Sequence, residues 1–293
     1  MCACCDVHRL YDRVAERRLD LLYSNYYPAA DPSLSELERQ LTNSTFQSRR
    51  ARLDRCLGGR ERRILEIGCG DGNFLAVLRR VGWQVYGSEF GADVAALVQR
   101  RHQIPVFVGD IAAISPDRPF AVVAAYHVLE HVYHPITWLQ RIHQRIEPDG
   151  LLHLQVPNDA SLTQYLTGRA CALIVFPQHV YFYTPRTLRS LLERTGFTVL
   201  TTTTWDPWHG PGVLANSLTH VARRLTTGQL PWTDRLDERR CVDIGTPAGS
   251  AERRVLRSLA RRALDAASVP LARAEAALRH GAVVDIIAKR NGG

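Results

Sequence analysis

Apolar positions divide the chain of 293 residues into zones of different period. Residues 6–57 read as helical. Ser33, with Glu36 three positions on, has the form of a capping box, and Leu34, Leu37, Leu41, Leu53 and Leu57 supply a helical stripe that Gly58-Gly59 ends. From residue 63 the pattern changes to short apolar runs alternating with helical stretches. Strands are predicted at 63–67, 83–87, 106–108, 120–125, 151–156 and 197–204, with helices at 73–81, 92–101, 135–146 and 184–195. The run at 120–125 is apolar throughout, as a strand covered on both faces requires. Residues 205–280 break the alternation with two amphipathic stretches, 213–225 and 251–279. Val255, Leu256, Leu259, Ala263 and Leu264 form one face of the second. Residues 282–288 then return as a last strand.

Strands that alternate with helices imply a parallel sheet with helices on both faces. The predicted fold class is α/β: a doubly wound, seven-stranded, mostly parallel sheet with N-terminal helices and a helical insertion before the last strand. The predicted segments are 1–57 (helical), 58–204 (cofactor-binding core), 205–280 (insertion, as a lid or an interface) and 281–293 (last strand of the core). In such sheets ligands bind at the carboxyl ends of the strands, so chemistry is sought in the loops after the first four.

Composition narrows the class. Hydrophobic residues make up 45% and charged residues 23%, which suits a globular chain with a sizeable core. No run approaches the ~18 apolar residues of a bilayer span. The N-terminus lacks the basic head and apolar run of a secretory signal, so the expected location is cytoplasmic. The net charge of +8 invites a nucleic-acid partner, but Lys289 is the one lysine, and the arginines are scattered with acids between them. No nucleic acid is expected as partner. The basic stretch 251–279 leaves room for membrane-surface contact, and the insertion leaves room for a homodimer contact. Of the seven cysteines, Cys2, Cys4 and Cys5 cluster near His8, but no second pair follows at zinc-finger spacing, and free thiols are expected.

The most informative run is Glu66-Ile67-Gly68-Cys69-Gly70-Asp71-Gly72. It follows a strand and opens a helix, the context of a nucleotide site. Its glycines permit positive φ and let a ligand approach the backbone. Glu66 and Asp71 place acids where a pyrophosphate would be repelled. S-adenosylmethionine, with its sulfonium and ammonium, suits them instead. Glu89, ending the second strand, can accept from both ribose hydroxyls. Asp110, ending the third, can accept from an adenine amine, with Ile111 against the ring.

Together the runs E-I-G-C-G-D-G, S-E-F, G-D-I, H-V-L-E-H and V-P-N resemble the motifs of class I S-adenosylmethionine-dependent methyltransferases. The branch resembled includes ubiquinone-biosynthesis O-methyltransferases and sugar and natural-product methyltransferases. The resemblance covers about 60–204 and the final strand. It implies the Rossmann-like methyltransferase fold with strand order 3-2-1-4-5-7-6 and an antiparallel seventh strand. It also implies S-adenosyl-L-methionine as cofactor, bound by Gly68, Gly70, Gly72, Glu89 and Asp110, with Tyr126 or His127 near the methionine end.

Methyl transfer needs an oriented acceptor and, for a hydroxyl, a base. If 126–131 is helical, His127, Glu130 and His131 share one face. His131 or His179 is the expected base, with His127 the third candidate, and Trp205, Trp208, His209 and the 161–183 loop would shape the acceptor pocket. His127, Glu130 and His131 also have ligand-like spacing, but this chain has His127 where the quinone enzymes carry an acid, and no metal is assigned. The expected activity is methyl transfer to a small-molecule acceptor, an oxygen of a sugar, quinone or secondary metabolite. The alternatives are an NAD(P)-dependent oxidoreductase and a non-catalytic module of the same fold.

Overall fold

The computed structural model describes residues 7–9, 43–114, 117–175, 178–207, 209–228 and 251–292. The capping signal at 33–36, Cys2, Cys4, Cys5 and Trp208 lie outside them. In chain order the elements are β1 (His8–Arg9), α1 (Ser44–Leu57), β2 (Arg63–Ile67), α2 (Asn73–Arg80), β3 (Gln84–Glu89), α3 (Ala92–His102), β4 (Val106–Val108), β5 (Phe120–Tyr126), α4 (Pro135–Arg145), β6 (Ile146–Pro157), α5 (Leu162–Thr167), β7 (Tyr181–Phe182), α6 (Pro185–Arg194), β8 (Phe197–Thr203), α7 (His209–Thr227), α8 (Ala251–Ala277) and β9 (Val283–Arg290). They form two compact units, one of 1–157, 180–203 and 284–293, the other of 158–179 and 204–283.

The first unit holds a seven-stranded sheet in the order β4-β3-β2-β5-β6-β9-β8. Neighbours from β4 to β6 are parallel, and β9 runs antiparallel to β8. Counting only these strands, the order is 3-2-1-4-5-7-6, as the family resemblance implies. Side chains alternate across the sheet. Leu65, Ile67, Val123, Ala125, Leu152 and Leu154 face one core with Trp138 and Leu139 of α4 and Leu188 of α6. Ile64, Val122, Ala124, Tyr126 and Leu151 face the other, under Leu53 and Leu57 of α1 and Phe74, Leu75 and Leu78 of α2.

Two departures from the sequence reading change strand pairing. Residues 8–9 are not helical. They pair antiparallel with β7, His8 opposite Phe182, so a partner strand supplies the backbone bonds that a helix would make locally. And β6 begins at Ile146 rather than Leu151: Ile146 already pairs with Phe120, and the register shifts before Leu151 pairs with Val122. Pro148-Asp149-Gly150 thus form an irregularity inside a strand, with Asp149 at φ 62°.

The second unit gathers α5, α7 and α8 around a small core of Cys171, Leu173, Val213 and Ala282. Ser161 caps α5, and the buried Glu275 carboxylate accepts from the backbone N–H and hydroxyl of Thr163. Val255, Leu256 and Leu259 have side chains outside the described set, while Leu271 and Leu278 are exposed. Among the described residues no helix is long and apolar enough to cross a membrane.

Candidate cofactor site

The glycine turn folds over the carboxyl end of β3. The amides of Gly68 and Cys69 both donate to the carbonyl of Ser88, at 2.8 and 3.1 Å. Gly68 has φ 65°, and a Cβ there would lie 2.7 Å from Val128; Gly72 has φ 73°, and a Cβ would lie 2.6 Å from Val98. At these two positions glycine has a packing role as well. The space belongs to neighbouring side chains, and the glycines allow close packing of the turn.

The acids divide into three kinds. Asp71 is used locally: its oxygens accept from the backbone amide and side-chain amide of Asn73, at 3.1 and 2.6 Å, in the turn just before α2, whose N-cap is Gly72. The carboxylate that the sequence reading offered to a cationic ligand is thus held by two neutral amides of its own turn. Glu89 bridges the turn, accepting from the amides of Gly70 and Phe90 at 3.0 Å each. Burial pushes its carboxyl up while those two amides pull it down. Phe90 beside it is 59% exposed, a ring plane with open surface at a strand end. Glu66 is different again. It is buried, its Oε2 has no hydrogen-bond partner among the described residues, and burial raises its pKa to about 8 against the opposing pull of Arg49.

Asp110 and Ile111 stand apart from this group. Asp110 is about half exposed and pairs with Arg141 at 2.9 Å. Ile111 is buried in the apolar core rather than presented at a strand end, so its expected contact with an adenine ring is not what its side chain does here.

Arg49 is the residue that sequence reasoning missed. On α1 the buried positions are Thr45, Arg49, Leu53 and Leu57, four residues apart, so an arginine occupies the core-facing stripe. The guanidinium lies 3.8 Å above the ring of Tyr126 and donates to Gln155 Oε1 at 2.5 Å, while its Nε has no partner. A charged residue in register with Leu53 and Leu57 was the available signal. Tyr126 is itself buried, edge-on to Phe74 at 5.4 Å, with its hydroxyl on His153. Thus Glu66, Gly68, Gly70, Gly72, Glu89 and Tyr126 converge at the carboxyl ends of β2, β3 and β5.

The stretch after β5 is not an α-helix, contrary to the condition on which a shared face depended. His127 takes a left-handed φ of 58° and only Leu129–His131 form a 3-10 turn. His127 Nδ1 still lies 3.4 Å from Glu130 Oε1. The His131 amide donates to Val128 O at 3.0 Å. His179 belongs to the second unit, where it is buried with its Nδ1 2.9 Å from the carbonyl of Leu173. In the same unit His209 Nδ1 lies 3.0 Å from Asp206, and Arg273 lies 5.8 Å from the ring of Trp205.

These residues fit S-adenosylmethionine. An unpartnered buried carboxyl and a partly bonded guanidinium complement the ammonium and carboxylate of an amino-acid end, and a carboxylate at the end of β3 complements a ribose diol. A family profile described as methyltransferase domain matches residues 37–202. A Mycolicibacterium smegmatis protein named "Probable S-adenosylmethionine-dependent methyltransferase" is 26% identical over 190 residues, 62% of this chain and 70% of that one. The mitochondrial ubiquinone biosynthesis O-methyltransferase of Mus musculus is 27% identical over 166 residues, 50% of this chain; the chain spans 45% of that enzyme's length. Among solved structures the 4+2 cyclase SpnF aligns with TM-score 0.51 at 17% identity, over 85% of this chain and 82% of its own, a likeness of fold. The chain belongs to the methyltransferase-domain family, as a class I enzyme with S-adenosylmethionine as cofactor.

Proposed function

We propose that the chain moves a methyl group to an oxygen of a small-molecule acceptor of quinone, phenol or sugar type. The observation that carries the reading of the site is the buried Glu66 carboxyl, unpartnered beside the charge of Arg49. Glu66 takes the cofactor's ammonium and Arg49 its carboxylate. Glu89 takes the ribose hydroxyls, and Phe90 and Asp110 the adenine. The cofactor supplies the electrophilic methyl group. The chain's own task is to orient the acceptor and remove its proton, and His131 or His179 is the base, with His127 held toward Glu130. Support for oxygen as acceptor comes from the named activity of the ubiquinone-pathway relative.

Calorimetric titration of the full chain with S-adenosylhomocysteine and with NADH tests the cofactor site. Binding of the first, abolished or weakened about 30-fold or more by Glu89→Ala, is expected. Tighter binding of NADH overturns the reading. Methyl transfer to a panel of catechols, hydroxyquinones and sugars tests the acceptor class. There His131→Asn or His179→Asn is expected to lower kcat by ~10²–10⁴-fold while leaving S-adenosylhomocysteine affinity in place.

A further inference from the structure

On the α1 face of the sheet, side chains from β5, β6, β9 and α1 close into a polar ring. The Tyr126 hydroxyl is 2.9 Å from His153 Nδ1, and His153 Nε2 is 2.8 Å from Asp285 Oδ1. Asp285 Oδ2 accepts from Gln155 Nε2 at 3.3 Å, Gln155 Oε1 accepts from Arg49, and the Arg49 guanidinium returns to the face of Tyr126. A second arginine, Arg52, pairs with Asp285 at 2.9 Å. His153, Gln155, Asp285, Tyr126 and Arg49 are all at least nine-tenths buried.

The charge in this ring is unevenly assigned. Asp285 carries the one carboxylate, and Arg52 is paired to it. His153 is held below the ordinary imidazole range by burial, which keeps it neutral. Arg49 is given a neutral amide oxygen and two π faces, Tyr126 at 3.8 Å and Phe74 at 5.9 Å, and no bonded anion. If the ring existed to neutralise Arg49, a direct bond to Asp285 would serve better. Instead Gln155 is interposed, and the geometry restrains the guanidinium without discharging it. The ring of Tyr126 fixes its plane, Tyr126 cannot turn while its hydroxyl is tied to His153, and His153 cannot turn while Asp285 holds its other nitrogen.

We propose that Tyr126, His153 and Asp285 are positioning residues that hold the Arg49 guanidinium ready for the carboxylate at the amino-acid end of the cofactor. The proposal rests on the cofactor reading above. A cation that is already oriented and desolvated loses little further freedom when its anion arrives.

The test compares two ligands on the full chain by calorimetry: S-adenosylhomocysteine, which has the amino-acid end, and 5′-methylthioadenosine, which lacks it. Asp285→Asn and His153→Gln are expected to weaken the first about tenfold, and Tyr126→Phe about threefold, with the second unchanged within about twofold. Circular dichroism and Tm establish that each variant is folded. Should Asp285→Asn fail to fold, Tyr126→Phe, which removes one oxygen atom, carries the comparison alone. Equal weakening of both ligands, or folded variants that bind both as the wild type does, overturns the proposal. A wild type that binds methylthioadenosine but not S-adenosylhomocysteine overturns the assignment of Arg49 and Glu66 beneath it.

Discussion

Among the described residues of the first unit, Arg49 and Arg63 are buried at opposite ends of the same sheet, and their surroundings differ in one respect. Arg63, at the start of β2, is fully buried. Its Nη1 donates to the carbonyls of Arg118 and Pro119 at 2.6 and 2.7 Å, its Nη2 meets Asp117 at 2.5 Å, and its plane lies 4.9 Å from the Tyr86 ring and 4.5 Å from that of Phe120. Arg49, facing the carboxyl ends of the strands, has one neutral oxygen and the rings of Tyr126 and, more distantly, Phe74. Both satisfy the demand that a buried cation be shielded from apolar surroundings, but only Arg63 is bonded directly to an anion. The comparison separates architecture from site. A charge completed by the protein is part of the fold, and a charge left incomplete at the ligand-binding edge awaits something from outside.

The largest expected effects come from exchanging each arginine for methionine, which keeps apolar bulk. Arg63→Met strands two carbonyls that now accept charged hydrogen bonds. It is expected to lower stability by about 3 kcal/mol or more, read from urea unfolding, with S-adenosylhomocysteine affinity unchanged within about twofold. Arg49→Met is expected to do the reverse. Stability moves by about 1 kcal/mol, while affinity falls about 30- to 100-fold. Loss of stability without loss of affinity at Arg49 would make it a second Arg63.

Glu66 extends the contrast to the acid that accompanies Arg49. Its folded pKa of about 8 stands above the ordinary carboxyl value of 4.5. Below 4.5 both folded and unfolded chains hold the proton and the group has no effect. Between 4.5 and 8 the unfolded chain releases it first, so rising pH favours unfolding across that window and no further above it. Glu66→Gln is therefore expected to stabilise the empty protein at pH 9, by on the order of a few kcal/mol, and to leave it unchanged at pH 4. Cofactor binding runs the other way, because an arriving ammonium favours the carboxylate. At pH 7 about one proton should leave per ligand bound, seen as a dependence of the calorimetric enthalpy on the buffer's ionisation enthalpy. The variant should bind S-adenosylhomocysteine about tenfold more weakly and release none.

Much of this was legible in the chain because it is local. The glycine turn, the acid ending β3 and the alternation of strands and helices each lie within a few residues, and the sheet follows from them by handedness and connection rules. What escaped was non-local. His153 and Gln155 are polar residues on alternate positions of an apolar strand, and Asp285 sits inside Val283–Ala288 in the same way. Each is an anomaly alone, and their pairing spans 130 or more residues. Arg49 was hidden in the same way, 106 residues from Gln155. Asp71 shows the opposite case: the sequence shows a carboxylate in a ligand loop, and the fold adds a local bond to Asn73 two residues on. Ile111 likewise reads as a strand-end apolar residue, and the neighbouring core absorbs it.

The smallest expected effect falls on Asp110, which lies between the two cases. Its side chain is 51% exposed and its partner Arg141 43% exposed, so solvent screens the pair and Asp110→Ala should change stability by less than about 0.5 kcal/mol. If Asp110 also accepts from the adenine amine, the same variant should weaken S-adenosylhomocysteine about five- to tenfold. Asp110→Asn, which keeps a carbonyl oxygen, should weaken it no more than about threefold. The inosine analogue, with an oxygen in place of that amine, sharpens the point. A carboxylate repels it and an amide can donate to it, so Asp110→Asn should narrow the preference for the adenine form. A preference that does not move, with affinity intact in Asp110→Ala, would leave Asp110 as the surface partner of Arg141 and end the cofactor site at Glu89 and Phe90.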